Sequence, residues 1–305
     1  MSETIFDILS EENILPNPRV SKICKTIIKR HPERVKAVIY YGSSLRDLDK
    51  PDKMLDFYVI VDSYRKTHKS LVRAFLNYLI PPAVYYYEKL DKNNILIKCK
   101  YSIISLPAFE KLSGKKSFLS MIWGRFCQPC SILYSESSTI TDRLITAREN
   151  SVRHMASQIT PLISGPIKSS QFWAKGFHES YRTELRPESS EKRAIEIVER
   201  YENRYSRITT VLFGKPDKDG YYLIPHETRI YTKSKWFIRR LIGKPMTAIR
   251  VINSAATFDG GLNYILMKLK NHSGVTISPT SFEKKHPVIC SPIMGWKLWK
   301  KGAFK

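Results

Sequence analysis

Long apolar runs are missing from this 305-residue chain. A helix that spans a bilayer needs about 20 consecutive apolar residues, and the most apolar stretch, residues 251–267, is interrupted by Asp259 and two glycines. The N-terminal stretch MSETIFDILSEENILP is acidic and has no apolar core, so it predicts neither a secretory signal nor a transit peptide. We therefore expect a protein without a transmembrane segment.

Cysteine is also scarce. The five cysteines are odd in number and irregularly spaced, which argues against a disulfide framework and favours a reducing compartment. Cys127 and Cys130 form a single CxxC pair, but a zinc site of this kind needs a second pair, so we interpret both as buried thiols. Two nucleotide-binding motifs are absent as well: GxGxxG does not occur, and residues 109–117 begin with Phe109 where a P-loop needs glycine.

Acidic residues are few relative to basic ones. The chain has 51 Lys and Arg against 28 Asp and Glu, a net charge of +23, and residues 226–305 alone contribute +12 of it with 15 basic and 3 acidic residues. Such a surplus indicates an anionic partner: nucleic acid, a phosphate-bearing substrate or an acidic lipid surface. Because residues 231–245 and 294–305 interleave these cations with Trp and Phe, they predict an amphipathic membrane contact. The alternative is that the aromatic residues belong to the core and the basic ones to a solvated face.

Residues 38–62, VIYYGSSLRDLDKPDKMLDFYVIVD, combine two β-rich segments with a polar connection. The first segment stops at Gly42, which permits close backbone approach, and the hydroxyls of Ser43 and Ser44 follow. The second segment carries Asp56 among apolar neighbours, and a carboxylate in a buried strand needs a partner such as a divalent cation. The pattern predicts a hairpin with a phosphate-binding turn beside a metal-binding aspartate. A surface hairpin in which Asp56 only caps the strand is the alternative.

Several motifs in a fixed order give this chain a family resemblance. The motifs are YGSS (residues 41–44), MLDF (54–57), VD (61–62), His68, AVYY (83–86), KYSIIS (100–105) and GRFCQP (124–129). In the order and sequence of these motifs the chain resembles the mitochondrial translocator-maintenance type of phosphatidate cytidylyltransferase. The corresponding motifs of that family are YGSG, MLDF, V-D/E-D, W-H, GVYYN, KYGVIS and AGRLxKP. The resemblance covers roughly residues 35–135 and departs from the family at Ser44, where a glycine is usual.

The resemblance implies a CTP:phosphatidate cytidylyltransferase that uses Mg²⁺ and releases CDP-diacylglycerol and pyrophosphate. Such an enzyme must neutralise a triphosphate and align an acceptor oxygen with the α-phosphorus. Tyr41, Gly42, Ser43 and Ser44 would then form the nucleotide-binding turn. Asp56 would be a catalytic carboxylate and the first metal ligand.

The second metal ligand stays open at the level of the sequence. Many transferases with a Gly-Ser turn carry an Asp-x-Asp pair, because alternate residues share one face of a strand, but the second position here is Tyr58. Asp62 is the first candidate. Its side chain would point to the same side of the strand as that of Asp56, but about 20 Å further along if the strand is extended. It can therefore be the second ligand only if the strand ends or bends before it. Glu88 and Asp47 are the alternatives.

Three further residues complete the predicted catalytic set. Lys100 matches a lysine of the family and would neutralise the α- or γ-phosphate, with a surface lysine at a strand edge as the alternative. Arg125 would clamp either pyrophosphate or the phosphatidate headgroup. His68 matches a histidine of the family and would contact phosphate or act as a base, with a structural histidine as the alternative. A phosphate monoester is already ionised near neutral pH, so no strong base is required.

Alternating β-rich and helical patterns predict an α+β fold. We expect a nucleotidyltransferase-like mixed sheet domain followed by a mostly helical C-terminal region, in which a helix–helix–strand run is typical of a small winged-helix unit. The predicted strands are residues 34–41, 54–61, 83–87, 95–105 and 131–134, and the predicted helices include 109–123, 141–163 and 170–183. The predicted domains are a helical lead-in (1–34), the nucleotidyltransferase domain (35–140), the helical domain (141–225) and a basic membrane-contacting region (226–305).

We expect a peripheral enzyme on the cytoplasmic face of a bacterial membrane, with CTP, phosphatidic acid and anionic lipid as its partners rather than nucleic acid. One rival hypothesis is a nucleotidyltransferase with another acceptor, such as tRNA or a different phospho-alcohol. Another is a non-catalytic nucleic-acid-binding protein, in which Asp56→Ala should leave function intact. Aromatic residues among the lysines near the chain end favour lipid over RNA.

Overall fold

The computed structural model describes residues 3–12, 17–46, 54–68, 70–90, 96–185, 189–225, 231–255, 266, 270, 273–285 and 287–302. Its strands are β1 (Val35–Tyr41), β2 (Leu55–Val61), β3 (Ala83–Leu90), β4 (Leu96–Ser105), β5 (Ser131–Ser135), β6 (Ile167–Lys168) and β7 (Tyr221–Tyr222). Its helices up to the middle of the chain are α1 (Ile5–Ser10), α2 (Pro18–Arg30), α3 (Ser43–Arg46), α4 (Tyr64–Thr67), α5 (Leu71–Leu79), α6 (Leu106–Leu112), α7 (Trp123–Phe126) and α8 (Ser138–Ile159). The later helices are α9 (Ser169–Tyr181), α10 (Ser190–Arg200), α11 (Glu202–Phe213), α12 (Thr232–Ala255), α13 (Ser281–Lys285) and α14 (Pro287–Lys300).

Five strands form one mixed sheet in the order β3-β4-β2-β1-β5, in which β2 and β4 run parallel and the other pairs antiparallel. The β1–β2 hairpin and the mostly helical region after it agree with the sequence, so the predicted α+β class is confirmed. Strands β6 and β7 pair as a separate ribbon that brackets α9 to α11. The four predicted domain boundaries stay predictions.

Each face of the sheet has its own apolar core, because successive strand residues point to opposite sides. On one face Phe57 and Tyr101 pack with α2 and Ala74 of α5. On the other face Tyr41 and Tyr58 pack with residues of α6, α7 and α8. Asp56 lies between Leu55 and Phe57 in β2, so its side chain belongs to the same face as Tyr58.

A third core joins the helices outside the sheet, where α1 packs with α8, α9 and α11. Glu12, just after α1, forms ion pairs with both Arg148 of α8 and Arg204 of α11. Helix α12 joins this core through Trp236 and through Arg239, whose Nη2 donates to Gln158 Oε1 at 2.7 Å. Among the described helices, none is long and apolar enough to cross a membrane.

The predicted helix over residues 109–123 is wrong in its extent. The structure ends α6 at Leu112 and begins the short α7 at Trp123. Ser113 and Gly114 follow α6, and the Ser117 hydroxyl donates to the Leu119 carbonyl at 2.8 Å, a local hydrogen bond that competes with helix formation. Cys127 lies just after α7 and, like Cys130, is a buried free thiol, as predicted.

Candidate functional site

Strand register brings the central predicted residues together. Tyr41 is opposite Asp56 across the β1–β2 hairpin, and Asp56 is opposite Lys100 across the parallel β2–β4 pair. Lys100 Nζ lies 3.2 Å from Asp56 Oδ1, and both side chains are only partly exposed. This contact is an ion pair without hydrogen-bond geometry, because Oδ1 is buried and accepts no hydrogen bond among the described residues. The predicted carboxylate and lysine therefore share one site.

Gly42 is required by the geometry of this site. Its φ is +86°, a conformation that favours glycine. A Cβ at this position would lie 3.0 Å from Asp56 Oδ2, closer than side-chain atoms normally approach. The turn after β1 therefore presents bare backbone directly against the Asp56 carboxylate.

The two serines of the turn differ in accessibility. Ser43 begins α3 and is half-buried, whereas Ser44 is 1% exposed and its Oγ is buried. Ser43 is thus the hydroxyl that a ligand in the turn can reach, and Ser44 contributes to packing. Tyr41 is 8% exposed, and burial raises the pKa of its phenol, so the side chain is neutral at physiological pH.

Arg125 of α7 lies on the same face of the sheet as Asp56. Its Nη1 donates to Tyr58 Oη at 2.9 Å, and its guanidinium lies 5.6 Å from the centre of the Tyr41 ring. Its Nη2 is 3.6 Å from the carboxylate of Glu184. Since Tyr58 is two residues beyond Asp56 in β2, Arg125 extends the site along that strand.

His68 does not join these residues. Tyr85 stacks on Tyr101, which belongs to the opposite core of the sheet, and His68 Nδ1 is 2.6 Å from Tyr85 Oη. Asn77 Oδ1 accepts from the Ala83 amide at 2.7 Å, so its Nδ2 faces His68 Nε2 at 2.9 Å. Nε2 must then accept and Nδ1 must donate. Both ring nitrogens are occupied, and burial lowers the pKa of His68 to about 4.

Two of the three predicted second metal ligands, Asp62 and Glu88, lie apart from Asp56. Asp62 follows the far end of β2, where its carboxylate is 3.2 Å from Arg34 Nη1. Glu88, in the edge strand β3, is exposed and accepts from Tyr86 Oη at 2.9 Å. Asp47 lies outside the described residues. No cluster of three or more His, Cys, Asp or Glu in the described part of the chain is arranged to hold a metal ion.

Asp56 by itself still fits a Mg²⁺ ion that arrives with a nucleotide. Mg²⁺ is commonly held by one or two carboxylates together with substrate phosphates and water. Asp56 offers an Oδ1 that is buried and accepts no hydrogen bond from the residues the structure describes, and an Oδ2 that faces the backbone of Gly42. The donor set is therefore suited to a metal–nucleotide complex and not to a tightly bound resident ion.

Two residues near Arg125 were not predicted from the sequence. Glu184 follows α9, and Arg250 lies near the end of α12. Both interact electrostatically with Arg125, although they are 59 and 125 residues away from it in the sequence, and Arg250 also interacts with Tyr58. Neither lies in a motif, so only the packing of α9 and α12 against the sheet domain reveals them.

Comparisons with known proteins add little to this geometry. No protein-family model and no curated protein matches the chain. Among solved structures, the chain is similar to a nucleotidyltransferase-like protein from Exiguobacterium sibiricum, with a TM-score of 0.28 and 11% identity over 92% of this chain and 91% of that chain. A similarity at this level does not indicate a shared activity, substrate or set of site residues.

Proposed function

We propose that this chain is a nucleotidyltransferase, specifically a CTP:phosphatidate cytidylyltransferase that forms CDP-diacylglycerol and pyrophosphate. The observation that carries the proposal is the juxtaposition of Gly42, Asp56 and Lys100. The Gly42 backbone faces Asp56 so closely that an added Cβ would lie 3.0 Å from Oδ2, and Lys100 Nζ lies 3.2 Å from Oδ1. The three adjacent strands thereby combine a turn for phosphate, a ligand for Mg²⁺ and a cation to neutralise charge.

The reaction would need positioning and charge neutralisation rather than a strong base. An unesterified phosphate oxygen of phosphatidate attacks the α-phosphorus of CTP, a new P–O bond forms, and the bond to the β-phosphate breaks as pyrophosphate leaves. The Gly42–Ser43 backbone and hydroxyl contact the β- and γ-phosphates, and Lys100 turns from Asp56 to a phosphate oxygen. Asp56 would hold Mg²⁺ together with the phosphates of the nucleotide, and the ion would neutralise phosphate charge.

The position of His68 agrees with a reaction that has no protein base. The second pKa of a phosphate monoester is about 6, so the acceptor is ionised at neutral pH without help. His68 lies against the opposite core of the sheet with both ring nitrogens occupied. We therefore assign it a structural role in holding α5 and β3 together.

An apolar surface near the chain end supports a lipid acceptor. Helix α12 buries Trp236 but exposes Phe237 and Leu241 by 60% and 64%. Trp296 and Trp299 of α14 are also more than half exposed, with their rings 5.2 Å apart. Large exposed apolar side chains in a region of net charge +12 suit the interface of an anionic membrane. We therefore propose peripheral binding to the cytoplasmic membrane face.

Pyrophosphate release tests the proposed activity. Purified protein is incubated with Mg²⁺, phosphatidic acid vesicles and each of the four nucleoside triphosphates in turn. We expect release with CTP, near-total loss in Asp56→Asn, and little change in Asp62→Asn. The last variant is a matched control, because Asp62 pairs with Arg34 at the other end of the same strand. Absence of release with every nucleotide would overturn the proposal.

Vesicle and RNA binding separate the proposed acceptor from its rival. Sedimentation with vesicles that contain phosphatidic acid should retain the protein, and neutral vesicles should retain much less of it, because the basic surface needs anionic lipid. A mobility-shift assay with tRNA at physiological salt should show only weak, salt-sensitive binding. Tight tRNA binding together with no vesicle binding would favour an RNA acceptor instead.

A further inference from the structure

Arg250 on α12 is a charged residue near the site to which the proposed reaction assigns no role. Helix α12 passes in close contact with the chain after α9, since a Cβ at Gly243 would lie only 2.3 Å from the Thr183 carbonyl oxygen. Two helical turns later Arg250 is half-buried. Its Nε is fully buried and finds no hydrogen-bond partner among the described residues.

Among the described residues, the neighbours of Arg250 leave an excess of positive charge. Tyr58, Glu184 and Arg125 are close enough to interact with it electrostatically, and burial lowers the pKa of its guanidinium. Arginine nevertheless keeps its charge in proteins. Glu184 is therefore one carboxylate facing two guanidinium groups, and one of these groups holds a buried N–H donor for which the described part of the chain offers no acceptor. Such a donor is costly unless a ligand accepts its hydrogen bond.

We propose that Arg250 and Arg125 together form an anion subsite for the phosphate of the acceptor, beside the Asp56 site. This inference rests on the proposed function for the identity of the acceptor, which is phosphatidate. A planar guanidinium presents paired N–H donors that match phosphate oxygens. Two of them on different helices would fix the phosphate in one orientation.

The location of the arginines favours the acceptor over the triphosphate. Gly42 and Lys100 flank Asp56 across the strands, whereas Arg125 contacts Tyr58, about 7 Å further along β2. In an in-line displacement the attacking oxygen and the leaving pyrophosphate lie on opposite sides of the reacting phosphorus. Lys100 beside Asp56 and the two arginines further along β2 would hold these two groups at separate positions.

Helix α12 also connects the subsite to the apolar surface. The exposed Ile242 precedes Arg250 by eight residues, which is about 12 Å along a helix and about 80° around it. Ile249, next to Arg250, is 43% exposed. A lipid whose phosphate contacts Arg250 could therefore leave its acyl chains along the apolar side of the same helix. A soluble phosphate compound gains nothing from this arrangement.

Steady-state kinetics with an Arg250→Gln variant tests the subsite. We expect KM for phosphatidic acid to rise about 10- to 100-fold, the range for lost hydrogen bonds to a charged group, while KM for CTP changes less than about twofold. Arg250→Lys keeps the charge but loses the paired N–H donors of the guanidinium, so its KM for phosphatidic acid should lie between those of wild type and Arg250→Gln. Lys244→Gln is the matched control, because Lys244 is an exposed cation on the same helix.

A binding measurement keeps the subsite separable from the proposed activity. Short-chain phosphatidic acid is titrated calorimetrically into wild-type protein and Arg250→Gln, with short-chain diacylglycerol as the neutral probe. Phosphate-dependent binding that weakens in Arg250→Gln and not in Lys244→Gln supports the subsite even if no nucleotide gives pyrophosphate. Equal binding by wild type and Arg250→Gln, or a variant that raises KM for CTP alone, overturns it. Thermal unfolding of each variant shows whether it is folded. If Arg250→Gln is not folded, the binding of Arg250→Lys is compared with that of wild type instead.

Discussion

Replacing Gly42 with alanine adds one methyl group at the point where the backbone meets Asp56. A Cβ there would lie 3.0 Å from Asp56 Oδ2, so the carboxylate must shift by a few tenths of an ångström or more. The φ of +86° adds backbone strain, which for a non-glycine residue in the left-handed region is about 1–2 kcal/mol. The variant should therefore be less stable by about that amount and misaligned at its site.

The expected loss of activity is larger than the loss of stability suggests. A misplacement of about 1 Å in an active site lowers the rate by about 100-fold, so we expect pyrophosphate release by Gly42→Ala to fall about 10- to 100-fold at saturating CTP. The matched control is Gly165→Ala, since Gly165 has a φ of +82° and no atom within 4 Å of its added Cβ. The control should lose similar stability in urea and keep its activity. Wild-type activity in Gly42→Ala, or equal losses in both variants, would refute the role of this contact.

Three more perturbations test residues on either side of the sheet. Lys100→Met should raise KM for CTP and lower kcat in the pyrophosphate assay, because Asp56 loses its ion-pair partner and the triphosphate loses a cation; an unchanged KM would contradict this. His68→Gln should lower the free energy of unfolding by about 1–3 kcal/mol, the range for unsatisfied buried hydrogen bonds, with kcat per folded molecule unchanged. The folded-state pKa of His68, about 4, is below its unfolded value of about 6.5. Its contribution to stability is therefore present above pH 6.5 and is lost as pH falls towards 4. Urea unfolding of wild type and His68→Gln across this pH range measures the contribution, and a difference in free energy of unfolding that does not change with pH would contradict it. Leu241→Asp should reduce sedimentation with anionic vesicles several-fold, whereas Ile195→Asp, at an exposed position on α10, should not; equal effects of the two would argue against α12 as the membrane contact.

Local patterns in the sequence predict the central part of the site, because it is built from adjacent strands. The Gly42 turn and the strand with Asp56 are neighbours in the chain, and a hairpin places them side by side with no further information. Lys100 is predicted at the site only by the motif resemblance given above, and the parallel β2–β4 register places it opposite Asp56. Glu184 and Arg250 could not be predicted in this way, since they reach the site only through the packing of distant helices.

Helix α5 shows a different limit of sequence reasoning. The spacing of Leu71, Phe75, Leu76 and Leu79 predicts a short helix, but it does not say which way the apolar side faces. In the structure Leu76 is partly exposed, the other three leucine and phenylalanine side chains are more than half exposed, and Asn77 is fully buried. Asn77 accepts from the Ala83 amide and donates towards His68, so the hydrogen bonds of one buried amide outweigh the usual preference.

The ion pair between Lys100 and Asp56 explains how a partly buried carboxylate is tolerated in this sheet whether or not a metal is bound. With no nucleotide, Lys100 at 3.2 Å neutralises Asp56, and neither charge is left without a partner. A nucleotide that carries Mg²⁺ offers both residues a new partner of opposite charge, the cation for Asp56 and a phosphate oxygen for Lys100. The exchange conserves the number of opposite-charge pairs, so binding does not require either group to be desolvated alone. An asparagine at position 56 removes both arrangements at once, which is why its effect should exceed that of any change to Lys100.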